Sequence, residues 1–304
     1  MHWVIVALIA PFLWSILNHT DKYLISKYSH DTGIGGLAVF SSLFAIFILP
    51  IAYFLNHGVF LISGEEAGFL IITGVFTSLG ILFYLYALDR DDASHVVPFW
   101  FLIPILGYVL GVLLLGEQLA GNKILGSILT LIGAIILSLE FDEGFAVKTI
   151  TALLMVGSSV FLALSDVIFK KFALAVSFWP SIFWNQIGMV FFGLACLFFV
   201  RRYRQDFIKI CKIKTKNIVA LNIFGEIVQT IAGIINYYAT LLAPIALVLL
   251  VGYTFQPLFV FIEGILITKF FPHIIHEHIS RKHIFQKLAS ITIMGIGVYL
   301  VLAL

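Results

Sequence analysis

Long apolar runs, broken by short polar stretches, set the pattern of this chain. Ten such runs stand at about 3–19, 35–55, 68–88, 93–115, 122–139, 149–169, 180–200, 217–241, 244–268 and 285–304. Each approaches the roughly 20 apolar residues that a helix needs to cross hydrocarbon. The breaks carry turn and charge signals: Asn56-His57-Gly58, Ser63-Gly64-Glu65-Glu66, Asp89-Arg90-Asp91-Asp92, Gly121-Asn122 and Asp142-Glu143-Gly144. A membrane β-barrel would show shorter segments that alternate apolar and polar, whereas these runs are continuously apolar. The pattern therefore predicts an all-α bundle. The first helix is expected to continue past its apolar part, because Asp21 to Tyr28 contains neither Gly nor Pro.

Composition narrows the class. Of the 304 residues 61% are hydrophobic and only 11% charged, against about 25% charged in a soluble domain. Too few polar side chains remain to cover a water-facing surface, so the chain is read as an integral membrane protein. A net charge of +2 gives no footprint for nucleic acid. Cys196 and Cys211 form neither a disulfide framework nor a zinc spacing. The start, Met1-His2-Trp3, lacks the basic segment of a cleavable signal peptide, and none is expected.

The two halves of the chain echo one another. Trp14, Asn18 and Lys22 have counterparts 148 residues on, in Leu162, Asp166 and Lys170. An offset of 153 carries Gly80 to Gly233, Tyr84 to Tyr237 and Pro104 to Pro257. The expected architecture is thus ten transmembrane helices in two five-helix repeats, 1–140 and 148–304. Five is odd, so the second repeat must sit inverted in the membrane. Secondary transporters are commonly built this way, with the site near the midplane between the halves.

Runs four and five read Pro104-Ile-Leu-Gly-Tyr-Val-Leu-Gly-Val-Leu-Leu-Leu-Gly116-Glu117, then Leu125-Gly126 and Leu131-Ile-Gly133-Ala134. A helix with a mid-span proline that ends in a Leu-Gly-Glu turn, followed by a glycine-rich helix, resembles the drug/metabolite transporter superfamily of the EamA type. Ala87-Leu88 and Trp14 fit the same pattern. The resemblance covers nearly the whole chain and implies ten helices, two repeats and solute transport. It departs in the second half: 13 residues after Pro257 stands Phe270, not a Gly-Glu pair, and about ten extra residues precede the last run.

Basic residues are unevenly shared between the two ends of the bundle. Fifteen of the 18 Lys and Arg fall after runs one, three, five, seven and nine, with only Lys123, Lys170 and Lys171 on the other side. Lys and Arg collect in cytoplasmic loops, so the segment 201–216 is expected in the cytoplasm and both termini outside it. The family resemblance implies the reverse orientation.

Ionisable groups within a span cost about 2.5–3.5 kcal/mol on insertion scales, so each asks for a reason. Glu226 lies well inside run eight, with Gln229, Gly233, Asn236 and Tyr237 at i+3, i+7, i+10 and i+11. These spacings draw a polar stripe on one helix face, which must meet protein or a water-filled cavity. Glu226 is the candidate proton-coupling acid, because a carboxylate held away from water can exchange its proton as its surroundings change. The same stripe also suits polar packing between helices. Asp166 and Lys170 stand one turn apart, spaced for an i,i+4 pair at a span end or for cavity lining. The expected substrate-binding set is Trp14, Asn18, Tyr84, Trp100, Asp166, Gln229, Asn236, Tyr237 and Gln256. The rings could receive a flat apolar solute or an organic cation. Gln256-Pro257, Pro98 and Pro104 mark places where a kinked helix can bind or gate. Glu263 reads equally as a partner for a lysine such as Lys269, and Glu117 as a brace for helix ends.

His273, His276, His278 and His283 fall within eleven residues. No regular ligand pattern or accompanying cysteine supports a zinc site, and the segment reads as a solvated loop. His95 reads as interfacial. No catalytic motif and no nucleotide-binding loop occurs. The function expected is a secondary active transporter that moves a small organic metabolite or drug-like solute across the inner or plasma membrane, by proton coupling or exchange. The alternatives are a membrane enzyme acting on a lipid and a non-transporting scaffold. No cofactor and no metal is expected. The expected partners are a small-molecule substrate and the lipid bilayer, without nucleic acid.

Overall fold

Helices occupy each of the ten predicted runs in the computed structural model, which describes residues 2–91, 96–138, 148–212, 216–270 and 281–302. No strand occurs among the described residues. The first half holds α1 (His2–Thr32), α2 (Ile34–Phe44), α3 (Ile48–Leu55), α4 (Gly64–Leu88), α5 (Leu102–Leu110) and α6 (Gly121–Ser138). The second holds α7 (Thr149–Ala175), α8 (Phe178–Phe199), α9 (Arg201–Cys211), α10 (Lys216–Leu242), α11 (Ile245–Phe270) and α12 (Arg281–Leu302). Among the described residues seven helical segments are long and apolar enough to cross a membrane, and His2–Asn18, Gly121–Leu137 and Gln286–Leu302 are shorter apolar helices. Exposed apolar side chains such as Phe54, Leu113 and Phe198 suit contact with lipid, which leaves no backbone group unpaired only where the chain is helical.

Local sequence explains where these helices begin and break. Ser63 starts α4: its hydroxyl accepts from the Glu66 amide at 3.2 Å, while the Glu66 carboxylate accepts from the Ser63 amide at 2.8 Å. This reciprocal cap satisfies two backbone donors that the first turn would leave unpaired. The second run is not one helix. A 3-10 turn at Ala45–Phe47 separates α2 from α3, next to Pro50, which has no N–H to give the carbonyl of Ile46. The fourth run opens as a 3-10 helix at Val97–Phe101 and closes as a π turn at Gly111–Leu115. Gly116 then takes φ +67, a left-handed conformation that only glycine adopts freely, and turns the chain so that Glu117 points back into the bundle.

One element was not expected. The basic segment 201–216 contains the helix α9, where charge alone suggested a loop. Its Tyr203, Phe207 and Ile210 recur at helical spacing and turn toward the protein, while Arg201, Arg202, Arg204 and Lys209 stay exposed. The helix lies against the start of α2, and the Tyr86 hydroxyl of α4 donates to the Tyr203 hydroxyl at 3.0 Å.

Packing gathers the helices around one interior. α1 lies against α10 and α11, α4 against α7 and α8, and α6 against α12. Gly74 of α4 meets Gly188 of α8 so closely that a Cβ on Gly74 would stand 2.9 Å from the Gly188 Cα. Small residues permit such approach where lipid offers no hydrophobic drive for association.

Candidate functional site

A cavity of about 200 Å³ lies between the two halves. Its walls come from α1, α2, α4, the 3-10 helix Val97–Phe101, α7, α10 and α11. All ten residues singled out from the sequence, namely Trp14, Asn18, Tyr84, Trp100, Asp166, Glu226, Gln229, Asn236, Tyr237 and Gln256, line it. The stripe on α10 turns inward along its whole length, and Asn222, four residues before Glu226, extends it by one turn.

Asp166 sits deep in this space at 6% exposure, and its Oδ1 accepts from Asn236 Nδ2 at 3.3 Å. The i,i+4 pairing of Asp166 with Lys170 does not form. Lys170, 5% exposed, donates instead to the Glu117 carboxylate and, at 2.7 Å, to the carbonyl of Ala243. The other Glu117 oxygen accepts from the Ile245 amide at 2.7 Å, at the start of α11. The Leu-Gly-Glu turn thus joins α7 and α11, which braces one end of the bundle one turn beyond Asp166. The geometry has a simple cause: Gly116 aims Glu117 at a helix N-terminus, where a carboxylate is favoured, and a buried ammonium follows it.

A second tie crosses the bundle beside Asp166. The Tyr237 hydroxyl contacts the Thr77 hydroxyl at 3.0 Å, the Ser165 hydroxyl at 2.9 Å and Asn185 Nδ2 at 3.3 Å. Asn185 Nδ2 also donates to Thr73 Oγ1 at 2.8 Å, and Ser165 donates to the Thr73 carbonyl at 3.0 Å. The Tyr237 ring stacks on Phe169 at 3.9 Å. Four helices, α4, α7, α8 and α10, meet in this one network. The Glu226 end of the cavity is different. Glu226 is half-buried and accepts from the Ser41 hydroxyl of α2, and Leu37 and Asn222 lie near it in the wall, toward the end that carries α9.

Aromatic rings form a continuous wall. Trp14 stacks with Tyr253 at 5.8 Å, Tyr253 meets Trp100 edge-on at 6.3 Å, and Trp100 lies 4.6 Å from Tyr84. The indole N–H groups of Trp14 and Trp100 have no acceptor among the described residues.

Several site residues escaped the sequence reading. Tyr253 lies three residues before Gln256, and Thr77 one turn before Gly80, so helical spacing could have found both. Ser41 and its neighbour Ser42, and Asn185 and its neighbour Gln186, are short polar pairs in otherwise apolar stretches. Of the remaining candidates, Glu263 lies outside the cavity and accepts from Ser15 of α1 at 2.7 Å. The side chain of Lys269, its expected partner, is outside the described residues, as are His95, His273, His276 and His278 and the side chain of His283. No group of three potential metal ligands occurs among the described residues.

Apolar helices around one polar and aromatic interior define the class, a multi-pass helical membrane protein with an internal site. Residues 1–139 match the EamA-like transporter family, in agreement with the resemblance read from the Pro104 to Glu117 segment. Over 133 residues the chain is 29% identical to a protein of Archaeoglobus fulgidus described as an uncharacterized transporter. That match spans 43% of this chain and 45% of the relative. A crystal structure of a protein at 17% identity superposes with a TM-score of 0.70, over 99% of this chain and 97% of that one, and shows a shared fold.

Proposed function

We propose that the chain is a secondary active transporter that carries a small organic solute across the inner or plasma membrane by exposing this cavity to each side in turn. The single observation that carries the reading is the cavity itself: a polar and aromatic space walled by helices of both halves, inside an otherwise apolar bundle. The ionisable groups there, Asp166 and Glu226, cost insertion energy, and acids inside a span commonly mark solute or ion pathways. The two inverted repeats, 1–140 and 148–304, belong to the same proposal. Their support is that Asn18 and its counterpart Asp166, and Tyr84 and its counterpart Tyr237, all line the cavity. A volume below the roughly 300–1,000 Å³ of drug-sized pockets favours a metabolite of few atoms. Among the described lining residues no histidine or cysteine stands beside the acids, so the enzymatic alternative gains no support.

In this reading the described state is tied at the Glu117–Lys170 end, and transport requires those ties to open. Glu226 is the coupling acid, on the wall of the same cavity that takes the solute. The substrate-binding set is the one named from the sequence. Segment 201–216, with its helix α9, is cytoplasmic and both termini are outside. Purified protein in proteoliposomes, supplied with a mixture of metabolites and an imposed pH gradient, tests the proposal. Wild type accumulates at least one solute in response to the gradient, and Glu226→Gln, which keeps size and hydrogen bonding, loses the pH-driven component. Unchanged pH dependence in Glu226→Gln refutes the coupling role.

A further inference from the structure

Within the transport reading on which it rests, we propose that the solute is a small organic cation, held with its charged group at Asp166 and its body against the Trp14–Tyr253–Trp100 wall. Asp166 is the starting point. It is a buried carboxylate on the cavity wall whose hydrogen bond comes from the neutral Asn236. A buried carboxylate is tolerated when paired with a cation or well supplied with donors, and one amide at 3.3 Å is a thin supply. The lysine one turn away is committed elsewhere, to Glu117 and the Ala243 carbonyl. No lysine, arginine or histidine is among the described residues that line the cavity. The protein thus places an acidic side chain in its interior and supplies no described positive partner for it.

The surroundings fit a cation that is not a metal ion. Three rings linked through Tyr253, from α1, the 3-10 helix Val97–Phe101 and α11, face the same space as Asp166. Ring faces attract ammonium groups, most strongly where water is excluded. A bare metal ion is held most firmly by several carboxylates or imidazoles, and no group of three His, Cys, Asp or Glu side chains that could hold one occurs among the described residues. An anionic solute would meet Asp166 and Glu226 with like charge. The limited volume favours a compact ammonium over a large polycyclic one.

Binding to the purified full chain in detergent, followed by calorimetry, tests this with defined probes. The cations are tetramethylammonium, choline and benzyltrimethylammonium. The controls are 3,3-dimethylbutan-1-ol, the neutral isostere of choline, and the anion pivalate. At least one cation is expected to bind roughly tenfold or more tighter than both controls. Asp166→Asn, which keeps the shape, brings that preference close to one. Should Asp166→Asn fail to fold, Trp100→Leu serves: it weakens the cation roughly fivefold or more while leaving the alcohol little changed. The proposal is overturned if no cation binds, if the alcohol or pivalate binds as well as the cations, or if the preference survives Asp166→Asn. A separate arm uses Gly233→Phe, which fills the cavity. Binding of any probe that survives this substitution lies outside the cavity and sinks the transport reading as well, whereas a neutral or anionic probe displaced by it sinks only the cation.

Discussion

Replacing Lys170 with methionine removes the ammonium from the brace at the Glu117 end while keeping most of the side-chain volume. Lys170 is 5% exposed, and the Glu117 side chain keeps 20% of its surface in contact with solvent. Breaking a buried pair from one side costs about 3–5 kcal/mol, because the remaining charge stays buried without its partner. The partial exposure of Glu117 and its bond from the Ile245 amide put Lys170→Met at the lower end, about 3 kcal/mol, roughly a hundredfold in the folding equilibrium. Glu117→Gln should cost a similar amount, since it leaves Lys170 only the carbonyl of Ala243. The double variant has no charge left to strand, so it should be destabilised by about the same amount as either single one. The coupling is therefore about 2–3 kcal/mol. Reversible unfolding in mixed micelles, followed by tryptophan fluorescence, measures all four proteins. Costs that add to within about 0.5 kcal/mol refute the brace, because independent sites behave in that way.

Two further expectations concern orientation and packing. Cys211 ends α9 and is exposed, whereas Cys196 is buried, so a membrane-impermeant maleimide reads the side of α9 from the native chain. No labelling on intact cells, with labelling after permeabilisation, is expected for a cytoplasmic α9; labelling on intact cells reverses the orientation. Gly74→Ala places a Cβ against the Asn185 carbonyl and the backbone of Gly188, which no rotamer change can relieve. A loss of about 1–3 kcal/mol is expected in the same unfolding assay, and an unchanged midpoint contradicts the close approach of α4 and α8.

Much of this was legible because hydrocarbon imposes a simple grammar. Runs of about 20 apolar residues predicted the helices, and a polar stripe with no aqueous surface to face had to turn inward. The positions on α10 from Glu226 to Tyr237 followed from that argument alone. Pairings were harder. Asp166 and Lys170 have the spacing of a helical pair, yet the left-handed turn at Gly116 delivers Glu117 to Lys170 from another helix. Nothing in linear spacing reports such a meeting. The helix α9 was hidden by its charge, because four exposed basic residues mask three apolar positions that dock on α2. Asn185 and Ser41 were invisible for a related reason: each belongs to two adjacent polar residues, Asn185-Gln186 and Ser41-Ser42, too short a signal to draw a helix face, and only its partners across the bundle, Thr73 and Tyr237 for the one and Glu226 for the other, give it a role.

The central claim is that solute passes through the cavity between the halves, and Gly233 allows that to be measured with least disturbance. It lines the cavity, and a Cβ built there meets no atom within 4 Å. A phenylalanine at this place projects into the empty space while the helix gains a residue of better propensity. Flux of a metabolite and amine mixture into proteoliposomes, quantified by mass spectrometry, is then compared between wild type and Gly233→Phe at equal folded protein. The account predicts that every solute carried by the wild type is lost in the variant, with unfolding stability unchanged or raised. Undiminished flux through a folded Gly233→Phe protein would contradict it.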